Sequence, residues 1–259
     1  MKYVFLLLCL SCGNDDFRKV EKLESFRILG VKASLPEVAP GSSVDLQVLV
    51  SDFSGTEASI SGNYVTCIDP GISRGAKVSC ATVVETNTFT INMNSLGGRT
   101  GLSPVVNVTV PTDILNGRDS RDQFNGVGYI VIFSLTVGGT DYTTFKRIIA
   151  TNRTSPNTNP QGSTLLVNGF PISRAPADGD ELSVTTSLPE NYDFINIDGT
   201  QEARTEKFQI AWYTSSGEFS SSKTNADETV DYTGDTESSL TLAVIRDERG
   251  GLDFVKEAF

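Results

Sequence analysis

The sequence predicts an all-β protein with two β-sandwich domains. Gly, Ser, Thr, Asn and Asp are abundant in its 259 residues, whereas the strong helix formers do not dominate. Short β-rich runs alternate with polar turns at a spacing of roughly 10 residues, which is typical of a sandwich. Near the middle, residues 152–163 (NRTSPNTNPQGS) are almost free of apolar side chains and indicate a linker between two units.

The N-terminal stretch LLLCLSCGNDD, residues 6–16, indicates where the protein is located. Residues 4–10 are apolar and follow Lys2, but this run is far shorter than the roughly 20 residues of a transmembrane helix. A positive start, a short apolar core and small residues at the exit are typical of a secretory signal peptide. Two alternatives stay open: a Cys9-x-x-Cys12 redox pair, which needs a strand before it and a helix after it, and a buried apolar N-terminus.

The exit of this segment, Cys-Leu-Ser followed by Cys12, resembles the lipobox of bacterial lipoproteins. The resemblance implies that residues 1–11 are a removed signal peptide and that Cys12 carries acyl chains such as palmitate. Gly13 directly after Cys12 resembles the pattern of lipoproteins that leave the inner membrane. We therefore expect an outer-membrane protein that is lipid-anchored on the periplasmic or the cell-surface face, with residues 12–25 as a short tether.

The charge balance excludes some partners. The chain has 21 basic and 32 acidic residues, a formal net charge of −11, so it repels nucleic acid and anionic lipid surfaces. It has no histidine, the commonest general base and metal ligand near neutral pH. The sequence also contains no Gly-x-Ser-x-Gly, phosphate-loop or histidine-based metal motif. We predict a protein that is not an enzyme and needs no cofactor.

Cys67 and Cys80 are the two cysteines beyond the signal segment. An exported chain meets an oxidising compartment, where an even pair of cysteines indicates a disulfide. The pair encloses the turn signal Asp69-Pro70-Gly71, and β-forming residues flank each cysteine, so we predict a bridge between two strands across a loop. A zinc site is the alternative, but it would need two further Cys or His ligands that the mature chain lacks.

The first domain is predicted over residues 26–151. Val44, Leu46, Val48 and Val50 alternate with Asp45, Gln47 and Leu49, and this period of two indicates a strand with one face in the core. A helical or irregular crossover is expected over 111–124, with Thr112 and Asp113 as its cap and Asn125-Gly126 as its end. The remaining strands are expected at 59–67, 78–84, 88–93, 105–110, 129–137 and 141–150, the last two as a hairpin around Gly138-Gly139.

The second domain is predicted over residues 164–259. Phe208, Ile210 and Trp212 share one face of a strand, and we expect Trp212, the only Trp of the chain, in the core rather than on a ligand platform. Residues 240–245 and 252–255 are expected to form a final hairpin around the turn 246–251, comparable with the hairpin that ends the first domain.

Several of these segments together carry a family resemblance. The lipobox, FRILGVKASLPEVAPGSSVDLQVLVSD, the Cys-bounded loop, and the ending WYTSSGEF with SSLTLAVIRDERGGLDFV look like bacterial cell-envelope lipoproteins with tandem immunoglobulin-like domains. The resemblance implies two immunoglobulin-like β-sandwiches after a lipoprotein signal peptide and a short tether. It brings no catalytic residues with it.

Acidic clusters are the remaining candidates for chemistry. In NYDFINIDG, the side chains of Asp193, Asn196 and Asp198 form a weak Ca²⁺ candidate, because Ca²⁺ takes six to eight oxygen ligands. Ile195 stands where an EF-hand loop needs its fifth ligand, so we favour plain acidic turns there. Further clusters lie at 178–181 and 247–248.

Two functions follow from these observations. The first is a lipid-anchored envelope protein that acts as a non-enzymatic structural or adhesion module for an envelope protein or a polysaccharide. The alternative is a carbohydrate-active or other hydrolytic accessory protein that uses Asp and Glu. An enzyme of that kind would hold two carboxylates within about 5–10 Å in a concave pocket.

Overall fold

The computed structural model describes residues 19–53, 55–71, 78–234 and 239–259. Nearly all regular structure in these ranges is β, arranged as two immunoglobulin-like sandwiches, as the composition and the turn spacing predict. The predicted signal peptide and Cys12 lie outside the described residues. In the described ranges, no helix is long and apolar enough to span a membrane.

The first sandwich consists of two sheets. Its strands are β1 (Arg27–Ala33), β2 (Glu37–Val38), β3 (Ser43–Ser51), β4 (Ser59–Ile68), β5 (Glu85–Asn92), β6 (Thr100–Leu102), β7 (Val106–Thr109), β8 (Val127–Val137) and β9 (Thr140–Ala150). In one sheet β3 pairs with β1, β6 and β7, and the other has the order β2-β9-β8-β4-β5. Every pair is antiparallel except β2 with β9.

The core of this sandwich follows the period-two pattern of the sequence. Val44, Leu46, Val48 and Val50 of β3 are fully buried and face Tyr129 and alternate residues of β8 from the opposite sheet. Burying a side chain of this size stabilises the fold by about 1.5–3 kcal/mol.

Two local predictions in this domain differ from the structure. Residues 78–84, all of them described, form no strand, and pairing along β4 begins only at Glu85. The bridge from Cys80 to Cys67 holds this segment over the sheet instead. In the crossover, the helix α1 is confined to Ser120–Asn125 and its cap is Asp119, whose carboxylate accepts a hydrogen bond of 2.7 Å from the Asp122 amide. Gly126 ends it at a φ of 90°.

The second sandwich begins after the predicted linker. Its strands are β10 (Thr164–Val167), β11 (Phe170–Pro171), β12 (Glu181–Thr185), β13 (Asn191–Ile195), β14 (Gln201–Thr205), β15 (Gln209–Thr214), β16 (Glu218–Phe219), β17 (Lys223–Asn225), β18 (Val230–Thr233), β19 (Leu240–Arg246) and β20 (Leu252–Ala258). The sheets have the orders β11-β10-β12-β18-β16 and β17-β15-β19-β20, and β13 and β14 form a separate hairpin. Trp212 is fully buried in this core, as predicted, and its Nε1 donates to Thr224 Oγ1 at 2.9 Å.

A third apolar cluster joins the two sandwiches. Leu29 and Leu49 lie on the outer face of the β1–β3 sheet, and Leu242, Val244 and Leu252 lie on the outer face of the β19–β20 sheet. All five are buried. Strands β3 and β19 are therefore covered on both faces near this contact, which makes the two sandwiches one continuous body.

The N-terminal residues that the structure describes also contact this body. Within the segment expected as a tether, Leu23 is fully buried in the third cluster, and its amide donates to Thr214 O at 2.8 Å. Lys19 and Lys22 form ion pairs with Glu218. The chain therefore reaches the body at the Thr214 end of β15.

Candidate functional site: a cleft at the junction of the sandwiches

Arg249 is the centre of a buried polar cluster between the two sandwiches. Its guanidinium pairs with Glu37 of β2 through one nitrogen, and through the other with Glu206 Oε1 at 3.2 Å and Glu190 Oε2 at 3.6 Å. The side chains of Glu37 and Glu206 are 3% and 1% exposed. We call Glu37, Asn157, Glu206, Asp247 and Arg249 the junction cluster.

The turn between β19 and β20 positions Arg249. Asp247 accepts hydrogen bonds from the amides of Arg249 (2.8 Å) and Gly251 (2.6 Å) through the same carboxylate oxygen. A Cβ on Gly251 would lie 2.0 Å from Asp247 Oδ2, so this turn requires glycine there. The Arg-Asp-x-Arg-Gly-Gly run that we expected only as a hairpin turn is thus the part of the second sandwich that contacts the first.

Burial shifts two ionisable groups at this junction. Desolvation raises the pKa of Glu206 to about 7, and the nearby Asp247 adds to the shift, whereas Arg249 opposes it. Desolvation also lowers the pKa of Lys146 to about 8, and the ammonium of Lys146 donates to the carbonyl of Gly250. The side chains of Glu206 and Lys146 are both buried at the contact between the two sandwiches, as expected of residues that stabilise this contact.

The segment predicted as a linker is part of the junction. The Asn157 amide donates to Glu37 at 2.9 Å, and its side chain donates to Asp247 at 3.2 Å. Asn159 donates to the Ala33 carbonyl at 2.7 Å and accepts from the Leu252 amide at 2.9 Å. Both asparagines are buried, so this polar segment links the sandwiches by hydrogen bonds.

The β13–β14 hairpin is attached to the first sandwich along its outer edge. The side chain of Asn125 donates to Ile195 O at 2.7 Å and accepts from Ile195 N at 2.9 Å, as a neighbouring strand would. Arg153 donates to Asp193 O at 2.7 Å and to Phe124 O at 2.9 Å. These bonds hold the hairpin across the boundary between the domains.

A cleft of about 710 Å³ opens between this hairpin and the first sandwich. Its volume lies within the usual range of small-molecule sites, about 300–1,000 Å³. Helix α1 and residues 152–155 form one wall, and β13 with Ala203 of β14 forms the other. The lining residues are Ser120, Gln123, Phe124, Asn152, Arg153, Thr154, Ser155, Asn191, Tyr192, Asp193 and Ala203.

Arginines hold the two aromatic residues of the cleft. The guanidinium carbon of Arg153 lies 5.0 Å from the ring centre of Phe124, and that of Arg249 lies 4.5 Å from the ring centre of Tyr192. Contacts of this kind contribute about 0.5–2 kcal/mol. On the other side of Tyr192, a smaller hollow of about 420 Å³ is lined by Phe194, Arg204 and Arg249 among others.

Among the described site residues predicted from the sequence, Asp193 alone lines the cleft. Cys67 and Cys80 form a disulfide, which covers Ile130 and Ile132 on the outer face of the five-stranded sheet. Within the described parts of the chain, no three Cys, Asp or Glu side chains are placed to hold a metal ion.

The weak Ca²⁺ candidate does not form one site. The Asp198 carboxylate accepts from the Thr200 amide at 3.0 Å and from its hydroxyl at 2.7 Å, which closes the turn of the hairpin. The Asn196 side chain bonds with Thr200, Glu202 and Arg204. Asp193 lies farther along β13, at the cleft. The Asp198 carboxylate therefore stabilises the turn of the hairpin.

Sequence reasoning missed most of the junction and cleft residues. Arg153 and Asn157 belong to a segment that its composition marks as a linker, and Glu37 lies in a turn-like Pro-Glu-Val run. One signal was available: Leu49 interrupts the polar face of β3, which indicates that this face is also covered.

Comparisons with known proteins add only distant likeness. No protein-family model and no curated protein matches the chain. Among solved structures, dimeric latent PorU from Porphyromonas gingivalis aligns over 92% of this chain and 24% of its own, with 9% identity and a TM-score of 0.26. Escherichia coli alpha-2-macroglobulin activated by porcine elastase aligns over 94% of this chain and 22% of its own, with 10% identity and a TM-score of 0.28.

A third structure, Salmonella alpha-2-macroglobulin reacted with methylamine, aligns over 94% of this chain and 17% of its own, with 10% identity and a TM-score of 0.30. The chain therefore spans less than a quarter of the length of each of these three proteins.

Proposed function

We propose that this chain is a lipid-anchored protein of the bacterial outer membrane whose two sandwiches act as one non-enzymatic binding module, with the junction cleft as its ligand site. The observation that carries the proposal is that hydrogen bonds fix the two walls of the cleft relative to each other, because Arg153 and Asn125 bond the β13–β14 hairpin to the first sandwich. A cleft that is formed before binding loses less entropy when a ligand enters.

The position of the cleft agrees with an anchor at the N-terminus. Residues 21–23 contact Thr214, at one end of β15, whereas Glu206 of the junction cluster precedes the other end. A strand rises about 3.3 Å per residue, so the junction cluster and the incoming chain lie at opposite ends of β15. The described residues 19–23 are not among those that line the cleft.

A hydrolytic function receives less support. The carboxylates that converge are those of Glu37, Glu190 and Glu206, and all three share the guanidinium of Arg249. The two closest ones are almost fully buried, which leaves no access for a substrate bond. Among the residues that the structure describes, Asp193 is the only one with a carboxylate that lines the larger cleft.

The anchor is tested by labelling cells with a palmitate analogue. We expect label on the wild-type chain and none on Cys12→Ala, which should also leave the membrane fraction. Label that persists on Cys12→Ala would overturn the lipid anchor.

The binding module is tested with the full chain in mild detergent and isolated cell envelopes of its own organism. Ala203→Arg places a long side chain into the cleft from an exposed strand position, and Thr88→Arg makes the same change on exposed β5. We expect Ala203→Arg to lower envelope binding at least tenfold and Thr88→Arg to leave it unchanged. Equal binding by both variants would refute the cleft as the site.

A further inference from the structure

Strand β5 forms an open edge of the first sandwich. It ends the five-stranded sheet, and within the described part of the chain it pairs with β4 alone. The Met93 amide, just after β5, donates to Ala58 O at 3.0 Å in the register of this pair. Since every second residue of an antiparallel strand bonds to the same neighbour, the amide and carbonyl groups of Thr86, Thr88 and Thr90 point away from β4.

These outward backbone groups are accessible to another strand. Thr86, Thr88 and Thr90 are all exposed. Among the described residues, the one hydrogen bond of their outward groups joins the Thr88 amide to the exposed side chain of Asn87, at 2.8 Å. A carbonyl of an incoming strand replaces this local acceptor without breaking a bond of the sheet. The edge therefore offers a row of amides and carbonyls that a strand of another chain satisfies.

The composition of β5 lacks the usual protection of an edge. Natural proteins shorten exposed edges or place charges and proline on them. β5 is 8 residues long, its register with β4 is unbroken, and residues 86–91 include no charged residue, proline or glycine. Its one charged residue, Glu85, accepts a hydrogen bond of 2.9 Å from the Tyr64 hydroxyl. The other edge strands of the described sheets have four residues or fewer or carry charged side chains: β1, β2, β6, β7, β11, β13, β14, β16, β17 and β20.

A second copy of β5 fits this edge. A two-fold axis at Thr88 makes the two strands antiparallel, with Thr86 opposite Thr90 and Thr88 opposite itself. The outward amides and carbonyls of all three threonines then bond across the axis, and threonine pairs are favourable neighbours across strands. Glu85 lies opposite Ile91 of the second copy in this register, which avoids the cost of like charges in direct opposition.

The charge of the protein favours this copy over a charged partner at the edge. The formal net charge is −11, so two copies repel each other wherever their acidic surfaces meet. Pairing at β5 instead brings together two stretches without charge. A basic partner would be attracted by carboxylates, and residues 86–91 have none.

We propose that the chain forms a two-fold dimer through antiparallel pairing of β5 with β5, which joins the two five-stranded sheets into one continuous sheet. This interface is separate from the proposed ligand site, because none of the residues of β5, all of them described, lines the cleft.

Disulfide trapping tests the register of the pair. The full chain with Thr88→Cys is oxidised mildly in isolated cell envelopes and separated on a non-reducing gel. Position 88 faces its own copy at a Cα separation of about 5.5 Å, which a disulfide spans, so we expect a covalent dimer. Thr90→Cys is the matched control, because position 90 is displaced from its own copy by about four residues along the strand, roughly 13 Å.

The control variant also has a positive arm. Thr90→Cys should stay monomeric alone and should form the covalent dimer when it is coexpressed with Thr86→Cys. The wild type, with Cys67 and Cys80 in their disulfide, shows any crosslinking through other thiols. Equal dimer yields from Thr88→Cys and Thr90→Cys alone would overturn the proposal. The same holds if Thr88→Cys forms no crosslink or is crosslinked only to a different protein.

Sedimentation of the full chain in mild detergent measures the strength of the pair. Thr88→Lys places like charges opposite each other at the axis and should raise the dimer dissociation constant at least about fivefold. Thr86→Lys combined with Thr90→Glu places opposite charges across the axis and should keep the dimer. Thr185→Lys makes the same change at an exposed position of β12 and should sediment as the wild type does. A wild type that is monomeric at every concentration, or equal dimerisation of Thr88→Lys and Thr185→Lys, would refute the pairing.

Folding and ligand binding are measured on the same variants, so that the two proposals fail separately. Unfolding curves followed by Trp212 fluorescence distinguish a lost contact from a lost fold. Thr88→Arg should lose the dimer, and it should bind envelopes as the wild type does at concentrations below the dimer dissociation constant, where each cleft binds singly. A dimer that persists in Thr88→Arg overturns the pairing alone, whereas normal envelope binding by Ala203→Arg overturns the ligand site alone.

Discussion

Arg249→Met should destabilise the protein because it removes the cation that pairs with Glu206 and the nearer of two cations beside Glu37, which would keep Arg153 at 3.8 Å. The guanidinium contacts Glu37 and Glu206, whose side chains are 3% and 1% exposed. Removing one partner of a buried ion pair costs about 3–5 kcal/mol. For a chain of this size, each kcal/mol lowers the melting temperature by about 2–4 °C, so we expect a fall of about 10 °C.

Urea and thermal unfolding followed by the fluorescence of Trp212 measure this loss. Arg121→Met is the matched control, because Arg121 pairs with Asp122 at the surface, where both side chains are more than one third exposed; its cost should stay below about 1 kcal/mol. The triple variant Glu37→Gln, Glu206→Gln, Arg249→Met removes the guanidinium together with its two most buried carboxylate partners and should regain most of the stability. A loss below 1 kcal/mol for Arg249→Met, or a triple variant as unstable as the single one, would refute this reasoning.

Three other perturbations test the junction and the disulfide. The pKa of Glu206 rises from 4.5 to about 7 on folding, so between these pH values the folded state holds a proton that the unfolded state has lost. The free energy of unfolding should therefore fall by roughly 2–3 kcal/mol as the pH rises from 4.5 to 7. Glu206→Gln should flatten this slope in unfolding curves recorded across that range, and an unchanged slope would assign the slope to another group. A Cβ at position 30 would lie 2.6 Å from Leu252 Cδ1, so Gly30→Ala should lower the free energy of unfolding by about 1–3 kcal/mol. In the double variant, Leu252→Ala should relieve part of that loss. A double-mutant cycle measures this coupling, and additive losses would contradict it. Replacing Cys67 and Cys80 by Ala should cost about 3 kcal/mol, and mass spectrometry of the non-reduced exported protein should show both thiols bonded; two free thiols would exclude the bridge.

The sequence predicted the strands best where side-chain periodicity and turn residues agree. The alternation from Val44 to Val50 and the hairpin at Gly138-Gly139 depend on neighbours within a few residues, since side chains alternate across a strand and glycine adopts positive φ in tight turns. The segment 78–84 has the same β-forming composition but no pairing strand. Cys80 of this segment is bridged to Cys67, so a contact distant from the local pattern accompanies its departure from a strand.

By itself, the sequence determined two β-sandwiches, the pairing of Cys67 with Cys80 and a core position for Trp212, because periodicity, turn chemistry and a single pair of cysteines are local or countable properties. Only the tertiary structure decided how the sandwiches meet. Glu37 and Arg249 are 212 residues apart in the chain, and no local pattern states which of the many acids and arginines become partners. The cleft shares this origin, since its walls come from both domains and exist only when the buried junction brings them together.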